Sequence, residues 1–408
     1  MQKITLTCFT LIITFLFSYI VNAQEFEYPS FQCNISSIDK FGNIVLNITP
    51  TEFQNAGYEH GDILSVTING NCYSMPYGTN FTDVNIGSMI LLEYHDKLCI
   101  AATKSDFASN YGIANKVNEY GKSVWKTINN IPLNNVIIQI KMEEKFGYLD
   151  DYLIRQTKIS FNRADYSSDS TFANFRNVDI GKFGKNAFFR SSTPIDDSIK
   201  RAAYADKLTS KNNIQTIINL TDNDEDLKEF IAKNGDSSPY YKTLYNAGKI
   251  KPLDLSVDFK AKDFQYGLSK GLKFLAANNG PYLIHCIEGK DRTGFVSALI
   301  ECFMGATYQE IADDYMQSFI NYYHLEKGTK QYEAIKNGTV PYIISEITGL
   351  NKETDFSTIN LEKEAKEYII SIGLTEAEID TLKTKLSKDY LINNIVNNKK
   401  ASQNHTNN

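Results

Sequence analysis

The first third of the chain alternates between hydrophobic and polar positions over short runs. In the segments 44–48 and 64–68, apolar side chains occur at every second residue, which places them on one face of a strand. The segment 69–71, Asn-Gly-Asn, follows directly, and an Asn-Gly pair is a strong signal for a turn between two strands. Two further apolar runs, 89–92 and 98–102, flank a polar turn. The pattern predicts a mostly β segment without a long helix in this part of the chain.

From about residue 171 the pattern changes to longer apolar runs separated by helical stretches. The apolar runs predict buried strands at 214–220, 249–255 and 281–285. The helical stretches lie at 198–208, 263–277 and 293–303. Alternation of strands with helices is typical of a parallel sheet that carries helices on its faces. The fold class predicted for this region is therefore an α/β domain with a parallel-rich sheet.

These changes in pattern divide the chain into six parts. They are a leader (1–23), a β domain (24–115), a connecting segment (116–169), the α/β domain (170–345), a helical C-terminal extension (346–392) and a tail (393–408). The extension is predicted from amphipathic helical patterns, one of which starts near Thr375. The tail is polar throughout, and we expect it to be disordered.

The composition limits what such a chain does. It has 408 residues, of which 42% are apolar, and this is enough apolar surface to offset the ordering entropy of folding. A formal charge of −6 without a block of Lys and Arg argues against non-specific binding to nucleic acid. The mean hydropathy of −0.32 excludes a protein with several membrane spans. The composition indicates a globular chain with two or three domains.

The N-terminus has the three parts of a secretory signal peptide. Lys3 supplies a positive charge, residues 4–20 form an uncharged and mostly apolar run, and Val21-Asn22-Ala23 ends in a small residue. An uncleaved membrane anchor is the alternative, because the run is long enough for one. We expect cleavage near Ala23, no integral membrane domain afterwards, and a secreted or cell-surface/periplasmic protein.

Five cysteines remain after such a cleavage, namely Cys33, Cys72, Cys99, Cys286 and Cys302. An odd number outside the cytosol suggests one disulfide pair together with free thiols. No spacing of cysteine and histidine resembles a zinc site, so we predict no metal site.

The segment 284–294, Ile-His-Cys-Ile-Glu-Gly-Lys-Asp-Arg-Thr-Gly, lies between an apolar strand and an apolar helix. Amide groups in such a tight loop form a nest for phosphate oxygens, and the helix adds the positive end of its dipole. Gly289 allows the sharp turn, and Arg292 offers a planar fork for two oxygens. The predicted phosphate-binding residues are Ile287, Glu288, Gly289, Lys290, Asp291, Arg292 and Thr293.

Cys286 lies in the middle of this positive field, which favours the thiolate form of a cysteine. A thiolate attacks phosphorus and forms a phosphocysteine, so that hydrolysis divides into two easier steps. Arg292 and the loop amides stabilise the phosphate oxygens without a metal. Thr293 is placed to hydrogen-bond the sulfur, and His285 is expected to order the loop. A buried cysteine that serves only packing is the alternative, which we apply to Cys302.

These residues resemble the active-site loop of the protein tyrosine phosphatases, whose signature is Cys, five residues and then Arg. The Gly-Lys-Asp-Arg-Thr-Gly variant is similar to an atypical bacterial and fungal branch that acts on phosphotyrosine, phosphoserine/threonine and in some cases phosphoinositides. The segments 174–177 and 189–192 resemble the motifs at the start of the domain in that branch, and the resemblance covers about residues 170–330. Asn177 and Phe189 replace the usual Asp and Tyr of these motifs. The two replacements affect the contacts of these motifs and leave the chemistry of the loop unchanged.

The reaction also needs an acid that protonates the leaving oxygen. The family usually supplies an Asp from a loop before the cysteine, and Asp254 and Asp258 both suit that placement, whereas Asp263 is nearer to a helix start. For the Gly-Lys-Asp branch the resemblance implies Asp291 instead. We favour Asp291 and keep Asp258 as the second candidate; for each of these residues an exposed turn or cap role is the alternative.

Two further cations lie near these motifs. Lys290 is a candidate contact for a second acidic group on the substrate. Arg190 is either a structural residue of the family or a distal phosphate contact, and we favour the structural role.

The β domain resembles the small C-terminal β-barrel of the S-adenosylmethionine hydroxide adenosyltransferases. The resemblance lies in the segments 61–62, 76–84, 87–92 and 99–101. In those enzymes the barrel forms part of a nucleoside pocket between subunits, but their catalytic domain has no counterpart in this sequence, so their activity is not carried over. The resemblance implies a small antiparallel β-barrel-like domain that orients a substrate or binds a partner.

The features together predict a metal-independent, cysteine-dependent phosphatase that needs no cofactor. Its expected substrates are phosphate monoesters, with phosphotyrosine first and phosphoserine/threonine as an extension, in a phosphorylated protein or a small phosphomonoester. A phosphoinositide or inositol-phosphate phosphatase is an alternative within the same chemistry.

Two alternatives come from other classes of protein. An arsenate reductase or sulfurtransferase also places a cysteine in an anion loop, but rhodanese-like loops lack the Lys-Asp-Arg-Thr run, and no resolving cysteines can be placed. A secreted, non-catalytic binding protein with a relic phosphatase domain is the other, and the retained Cys286, Arg292 and Thr293 argue against it.

Overall fold

The structure of the protein, a computed structural model, describes residue 28, residues 30–119 and residues 122–390. The predicted leader (1–23) and the predicted tail (393–408) lie outside these described residues. Within the described ranges, none of the helices combines the length and the apolar character that a membrane crossing requires. The described chain forms a closed β-barrel followed by a five-stranded sheet with flanking helices.

The strands of the first part are β1 (Phe31–Ile38), β2 (Ile44–Leu46), β3 (Ile63–Ile68), β4 (Asn71–Gly78), β5 (Met89–Tyr94), β6 (Lys97–Ala102), the hairpin pair β7 (Ala114–Glu119) and β8 (Lys122–Thr127), and β9 (Ile137–Glu144). Seven of them close the barrel in the order β1-β2-β6-β5-β4-β3-β9. Short helices α1 (Pro50–Asn55) and α2 (Phe107–Asn110) lie between strands. Asn69 and Gly70 have φ angles of 50° and 82°, as the tight turn between β3 and β4 requires.

The closed barrel confirms the predicted β-barrel-like domain and refines two details of it. It is mixed rather than purely antiparallel, because β4 and β5 pair in parallel with Tyr77 opposite Leu91. It also extends beyond the predicted boundary at residue 115, because β9 pairs with both β1 and β3. Ile138 and Ile140 of β9 are fully buried, so the barrel core is complete only with this strand. The intervening β7–β8 hairpin separates β9 in sequence from the strands it joins.

The expected disulfide pair is not formed: Cys33, Cys72, Cys99, Cys286 and Cys302 are all free thiols. Cys33 and Cys99 are buried in two different apolar clusters of the barrel, whereas Cys72 is exposed. The other two belong to the core of the α/β region. The three thiols of the barrel therefore lie in three different environments, whereas Cys286 and Cys302 share one core.

The second sheet confirms the parallel-rich prediction. Its strands are β10 (Arg176–Asn177), β11 (Phe188–Ser191), β12 (Thr216–Asn219), β13 (Ile250–Pro252) and β14 (Tyr282–His285), in the order β10-β11-β14-β12-β13. The central strand β14 pairs in parallel with β11 and β12, and only β10 is antiparallel to its neighbour. The four residues of β14 are fully buried, as a strand covered on both faces requires.

Helices cover this sheet and link it to the barrel. They are α3 (Leu149–Arg155), α4 (Asp169–Phe172), α5 (Ala202–Lys211), α6 (Asp224–Asn234), α7 (Pro239–Asn246), α8 (Lys262–Ala277), α9 (Asp291–Phe303), α10 (Tyr308–Tyr323), α11 (Lys330–Thr348), α12 (Leu361–Ser371) and α13 (Glu376–Leu386). Thr375 caps α13 in a capping box with Glu378, at the predicted start. Eleven of the thirteen residues of α9 are buried, which makes it the central helix of this region.

The predicted C-terminal extension (346–392) is part of the α/β core and not a separate appendage. Ile369 of α12 and Leu382 of α13 are fully buried and belong to the same apolar cluster as Leu299 of α9. The predicted boundary at residue 345 falls inside α11, which continues to Thr348. The helical character of the extension agrees with the prediction, because both helices present an apolar face to this core.

Hydrogen bonds tie the barrel to the α/β region through α11. The amide of Ile86 donates to the carbonyl of Gly338 at 3.2 Å. Arg155, at the end of α3, donates both to Asn85 of the barrel and to the carbonyl of Ala334. Asn85 lies so close to Gly338 that a Cβ at this position would overlap its side-chain oxygen. The absence of a side chain at Gly338 therefore lets the two domains meet.

Replacing Gly338 by Ala tests this contact. Ala is normally favoured over Gly in a helix interior by about 0.5–1 kcal/mol, but here its methyl group would collide with Asn85. We expect Gly338→Ala to lower the free energy of unfolding by about 1–3 kcal/mol in urea denaturation. Asn337→Ala, exposed on the same helix, is the matched control and should lose no stability. A Gly338→Ala protein as stable as the control would contradict the described domain contact.

Candidate active site

The segment that follows β14 forms a tight loop at the carboxyl edge of the sheet, where parallel α/β folds place their ligand sites. Cys286 is the first residue after the strand, and α9 begins at Asp291. The loop therefore lies at the positive end of a thirteen-residue helix. Cys286 is only 3% exposed, at the floor of the loop.

Gly289 is required by the loop geometry, as the sequence predicted. Its φ angle is +68°, in the left-handed region that favours glycine. A Cβ on this residue would also collide with the backbone of Ser191 at the end of β11. Both facts show that the loop packs directly against the neighbouring strand and has no room for a side chain at this point.

Buried donors from other parts of the chain hold the carbonyl oxygens of the loop. Asn174 donates its amide to the carbonyls of Glu288 and Gly289, at 3.1 and 3.2 Å. Arg190 donates to the Gly289 carbonyl at 3.1 Å, and the Tyr322 hydroxyl donates to the Glu288 carbonyl at 2.6 Å. Each of these bonds engages a carbonyl and none engages a loop amide. The arrangement suits a loop whose amides bind an anion.

Arg190 belongs to a buried charge network beneath the loop, which is the structural position we favoured for it. Arg190 and Arg176 both form ion pairs with Asp314 of α10. Burial opposes the charge of Asp314, but the two guanidinium groups hold its pKa below the ordinary value. Burial and the neighbouring Asp314 raise the pKa of Glu301 well above its ordinary range.

His285 lies under the loop and has the structural setting predicted for it. Its side chain is fully buried, and Nε2 is 3.0 Å from the hydroxyl of Tyr241. Burial lowers the pKa of His285 to about 3, with a smaller contribution from the charge of Arg292. The imidazole is therefore neutral at physiological pH, and it positions the end of β14 without carrying charge.

Cys286 shares one pocket with the residues that follow it. A cavity of about 430 Å³ is lined by Cys286, Ile287, Glu288, Lys290, Asp291 and Arg292 from the loop. Arg292 also donates one Nη1 hydrogen to the carbonyl of Leu255, at 3.1 Å, which fixes part of its fork. Thr293 is fully buried, and its hydroxyl has no hydrogen-bond partner among the described residues. The loop thus gathers the predicted nucleophile and guanidinium at one cavity.

Lys290 does not offer a free charge to this cavity. Its ammonium group lies 2.9 Å from a carboxylate oxygen of Glu288 and donates to the Tyr323 hydroxyl at 2.7 Å. Burial opposes its charge, but Glu288 and Tyr323 raise the pKa of Lys290 well above the ordinary value. Lys290 is therefore a permanently charged part of the loop scaffold.

The candidate acids occupy different places. Asp291 lies at the start of α9, inside the pocket, and forms a 2.9 Å ion pair with Lys104 of the barrel. Burial opposes its charge, but Lys104 and Lys290 lower the pKa of Asp291 to about 2. Asp258 instead lines a neighbouring groove and accepts a hydrogen bond from the amide of Lys260 at 3.1 Å. Asp254 is exposed.

Asp263 is exposed in the first turn of α8, whose N-cap residue is Ala261, so Asp263 does not itself occupy the cap position.

Barrel residues close the side of the pocket that faces the loop. Phe81, Ile86, Thr103 and Lys104 line the same cavity as Cys286. These residues belong to a different domain and carry no motif of their own, so the wall was not predicted. The signal that pointed toward it was the resemblance of the β domain to a barrel that forms part of a ligand pocket.

A phosphatase-like α/β fold with a cysteine loop at the start of a central helix is the class that these features define. Residues 171–388 match the tyrosine phosphatase family, and residues 33–118 match the C-terminal domain of the SAM hydroxide adenosyltransferases. Because the first match spans more than half of the chain, the protein belongs to the tyrosine phosphatase family.

The solved structures with partial similarity to this chain include the two that follow, whereas no curated protein matches it. The first is an uncharacterized conserved protein from Thermotoga maritima, with 17% identity, a TM-score of 0.21, and coverage of 28% of this chain and 36% of that one. The second is the core catalytic domain of the PP-IP phosphatase SIW14 from S. cerevisiae, solved with citrate. It has 22% identity, a TM-score of 0.24, and coverage of 40% of this chain and 83% of that one.

The buried state of His285 generates a prediction about pH and stability. Its pKa is about 3 in the folded chain and near 6.5 when unfolded, so the unfolded chain binds the extra proton between these values. Folding stability should therefore fall as the pH drops through this window, by up to about 1.4 kcal/mol per pH unit from this group.

Denaturant unfolding measured from pH 7 to pH 4 checks this expectation. His285→Asn should show a shallower loss of stability toward low pH than the natural protein does. His95→Asn, at an exposed position, is the control and should keep the natural slope. An equal slope in His285→Asn and the natural protein would show that the imidazole is not held neutral.

Proposed function

We propose that the protein is a metal-independent, cysteine-dependent phosphatase that hydrolyses phosphate monoesters through a phosphocysteine. Phosphotyrosine is the expected protein substrate, with phosphoserine/threonine as an extension. The observation that carries the proposal is the position of Cys286, which is buried in a loop at the N-terminus of α9. Side chains from outside this loop donate hydrogen bonds to two of its carbonyl oxygens. The amides, the helix dipole and Arg292 supply the positive charge that a phosphate dianion requires.

In the first step the Cys286 thiolate attacks phosphorus, an S–P bond forms and the ester P–O bond breaks. Arg292 and the loop amides hold the equatorial oxygens as their charge redistributes. The leaving oxygen takes a proton from an acid in the pocket. In the second step water attacks the phosphocysteine, and the S–P bond breaks so that Cys286 departs as a thiolate. The products are the alcohol and inorganic phosphate.

Asp291 is the acid that this geometry favours over Asp258. It lies in the pocket with Cys286, whereas Asp258 lines the neighbouring groove. In the ligand-free site Asp291 is ionised, and a phosphate dianion bound beside it raises the pKa of such a carboxyl and favours uptake of a proton. After donating that proton it is again a carboxylate, which is the form that activates the attacking water.

The place of action is part of the proposal. The signal-peptide pattern of residues 1–23 supports a secreted, cell-surface or periplasmic enzyme.

Replacing the nucleophile tests the proposed chemistry. Cys286→Ser should lower the rate of phenyl phosphate hydrolysis by at least about a thousandfold, because the hydroxyl is a much weaker nucleophile. Cys72→Ser, at an exposed thiol, is the matched control and should keep full activity. Excess chelator should leave the natural rate unchanged. Activity that survives in Cys286→Ser, or that requires a divalent metal, would refute the proposal.

The identity of the acid is tested with two variants and two leaving groups. Asp291→Asn should lower kcat for phenyl phosphate by about a hundredfold or more, because phenolate leaves poorly without a proton. The loss should be much smaller with 2,4-dinitrophenyl phosphate, whose leaving group needs no proton. Asp258→Asn is measured beside it. If Asp258→Asn shows the leaving-group-dependent loss instead, the acid is assigned to the wrong residue.

A further inference from the structure

Lys104 is a barrel residue that enters the active site of the other domain. It follows the end of β6, and its ammonium group lies 2.9 Å from the carboxylate of Asp291. Its side chain is only 17% exposed and lines the same cavity as Cys286. A cation of the barrel is thus in direct contact with the acid that the proposed mechanism uses.

The backbone at Lys104 is held in an unfavourable conformation. Its φ angle is +59°, in the left-handed region where Gly or Asn is preferred over a long side chain. The amide of Ser105 donates to the carbonyl of Ala102 at 3.1 Å and closes the turn around it. A lysine at such a position costs backbone strain and loses side-chain conformational entropy. Costs of this kind are common at functional sites.

The other cations that line the described pocket are engaged by the scaffold or by the reacting group. Lys290 is held by Glu288 and Tyr323, and Arg155 donates to Asn85. Arg292 lies in the loop itself, and in the proposed mechanism its guanidinium group binds the phosphate that is transferred. Lys104 differs from these, because its partner is the catalytic acid, which a bound substrate has to approach.

We propose that Lys104 binds a second anionic group of the substrate, and that this exchange releases Asp291 for catalysis. The proposal rests on the phosphatase function given above and names its substrate class: a small phosphomonoester that carries a further carboxylate or phosphate near the ester. A cavity of about 430 Å³ bounded by Phe81 and Ile86 of the barrel has the size of a small-molecule site.

The exchange conserves charge and protons. In the free enzyme the Lys104 ammonium pairs with the Asp291 carboxylate. The second anionic group of the substrate takes that ammonium as its partner, and Asp291, now facing the phosphate dianion, takes one proton from solvent. As the S–P bond forms and the ester P–O bond breaks, this proton moves to the leaving oxygen. Water returns a proton to Asp291 when it attacks the phosphocysteine, and Asp291 releases this proton to solvent as the products leave and its ion pair with Lys104 forms again.

The test compares 4-carboxyphenyl phosphate with phenyl phosphate, two esters of similar phenols. The test variant is Lys104→Asn, because Asn tolerates the left-handed conformation and removes the charge without disturbing the turn. Lys104→Arg keeps the charge, and Lys141→Ala, exposed on the outside of the barrel, is the control.

We expect the natural enzyme to favour the carboxylate ester by about tenfold in kcat/KM, the worth of one charge-assisted contact. Part of this preference should lie in kcat, because the second anion also releases the acid. Lys104→Asn should bring the ratio of the two esters close to one, Lys104→Arg should keep most of it, and Lys141→Ala should keep all of it. The natural ratio in Lys104→Asn, or no preference in the natural enzyme, would overturn the proposal.

Binding measured without turnover separates this proposal from the proposed function. Titration calorimetry of the two esters on Cys286→Ser should show tighter binding of the carboxylate ester, and the difference should vanish in Cys286→Ser/Lys104→Asn. If this binding pattern holds but the natural enzyme hydrolyses neither ester, the phosphatase function fails, and with it the release of Asp291 for catalysis; only the anion-binding part of the Lys104 role stands. If both esters are hydrolysed equally and bind equally, the role of Lys104 fails alone.

Discussion

The conformation of the loop at 286–292 depends on hydrogen bonds to its own carbonyl oxygens. A peptide group is planar, with its N–H and C=O on opposite sides, so an amide faces an anion only when the carbonyl of the same unit points away. Asn174, Arg190 and Tyr322 supply the donors that hold two of these carbonyls. The anion site is therefore formed by buried groups from β11, α10 and the segment before β10, and the loop sequence alone does not determine it.

The barrel gives the protein a pocket that the phosphatase domain alone does not form. The loop provides the floor, and residues on the turn after β6 provide part of the opposite wall. The two parts are held together by hydrogen bonds between the segment 85–86 and helix α11, beside this pocket. These contacts between the domains thus control the distance between the nucleophile and the wall.

The sequence predicted features that are encoded in one continuous segment, and it missed features that arise when distant segments pack together. The loop from Cys286 to Thr293 is a continuous motif, and the alternation of strands and helices around it led to the correct sheet. The closing strand β9 was missed, because the β7–β8 hairpin interrupts the pattern before it. Lys104 was missed for a related reason, since its role arises only when two domains pack together. Asn174 and Arg190 were noticed as parts of a family opening, but their bonds to loop carbonyls depend on tertiary contacts.

The buried network beneath the loop has a consequence for the electric field of the site. Arg176 and Arg190 share one carboxylate, that of Asp314, and Arg190 also donates to the carbonyl of Gly289 in the loop. Arg190 is fully buried, and water screens a charge weakly in the protein interior. A chain with a formal charge of −6 thus holds a buried guanidinium against the carbonyl side of its anion site. The scaffold that shapes the loop therefore also places positive charge beside it, before any loop side chain contributes.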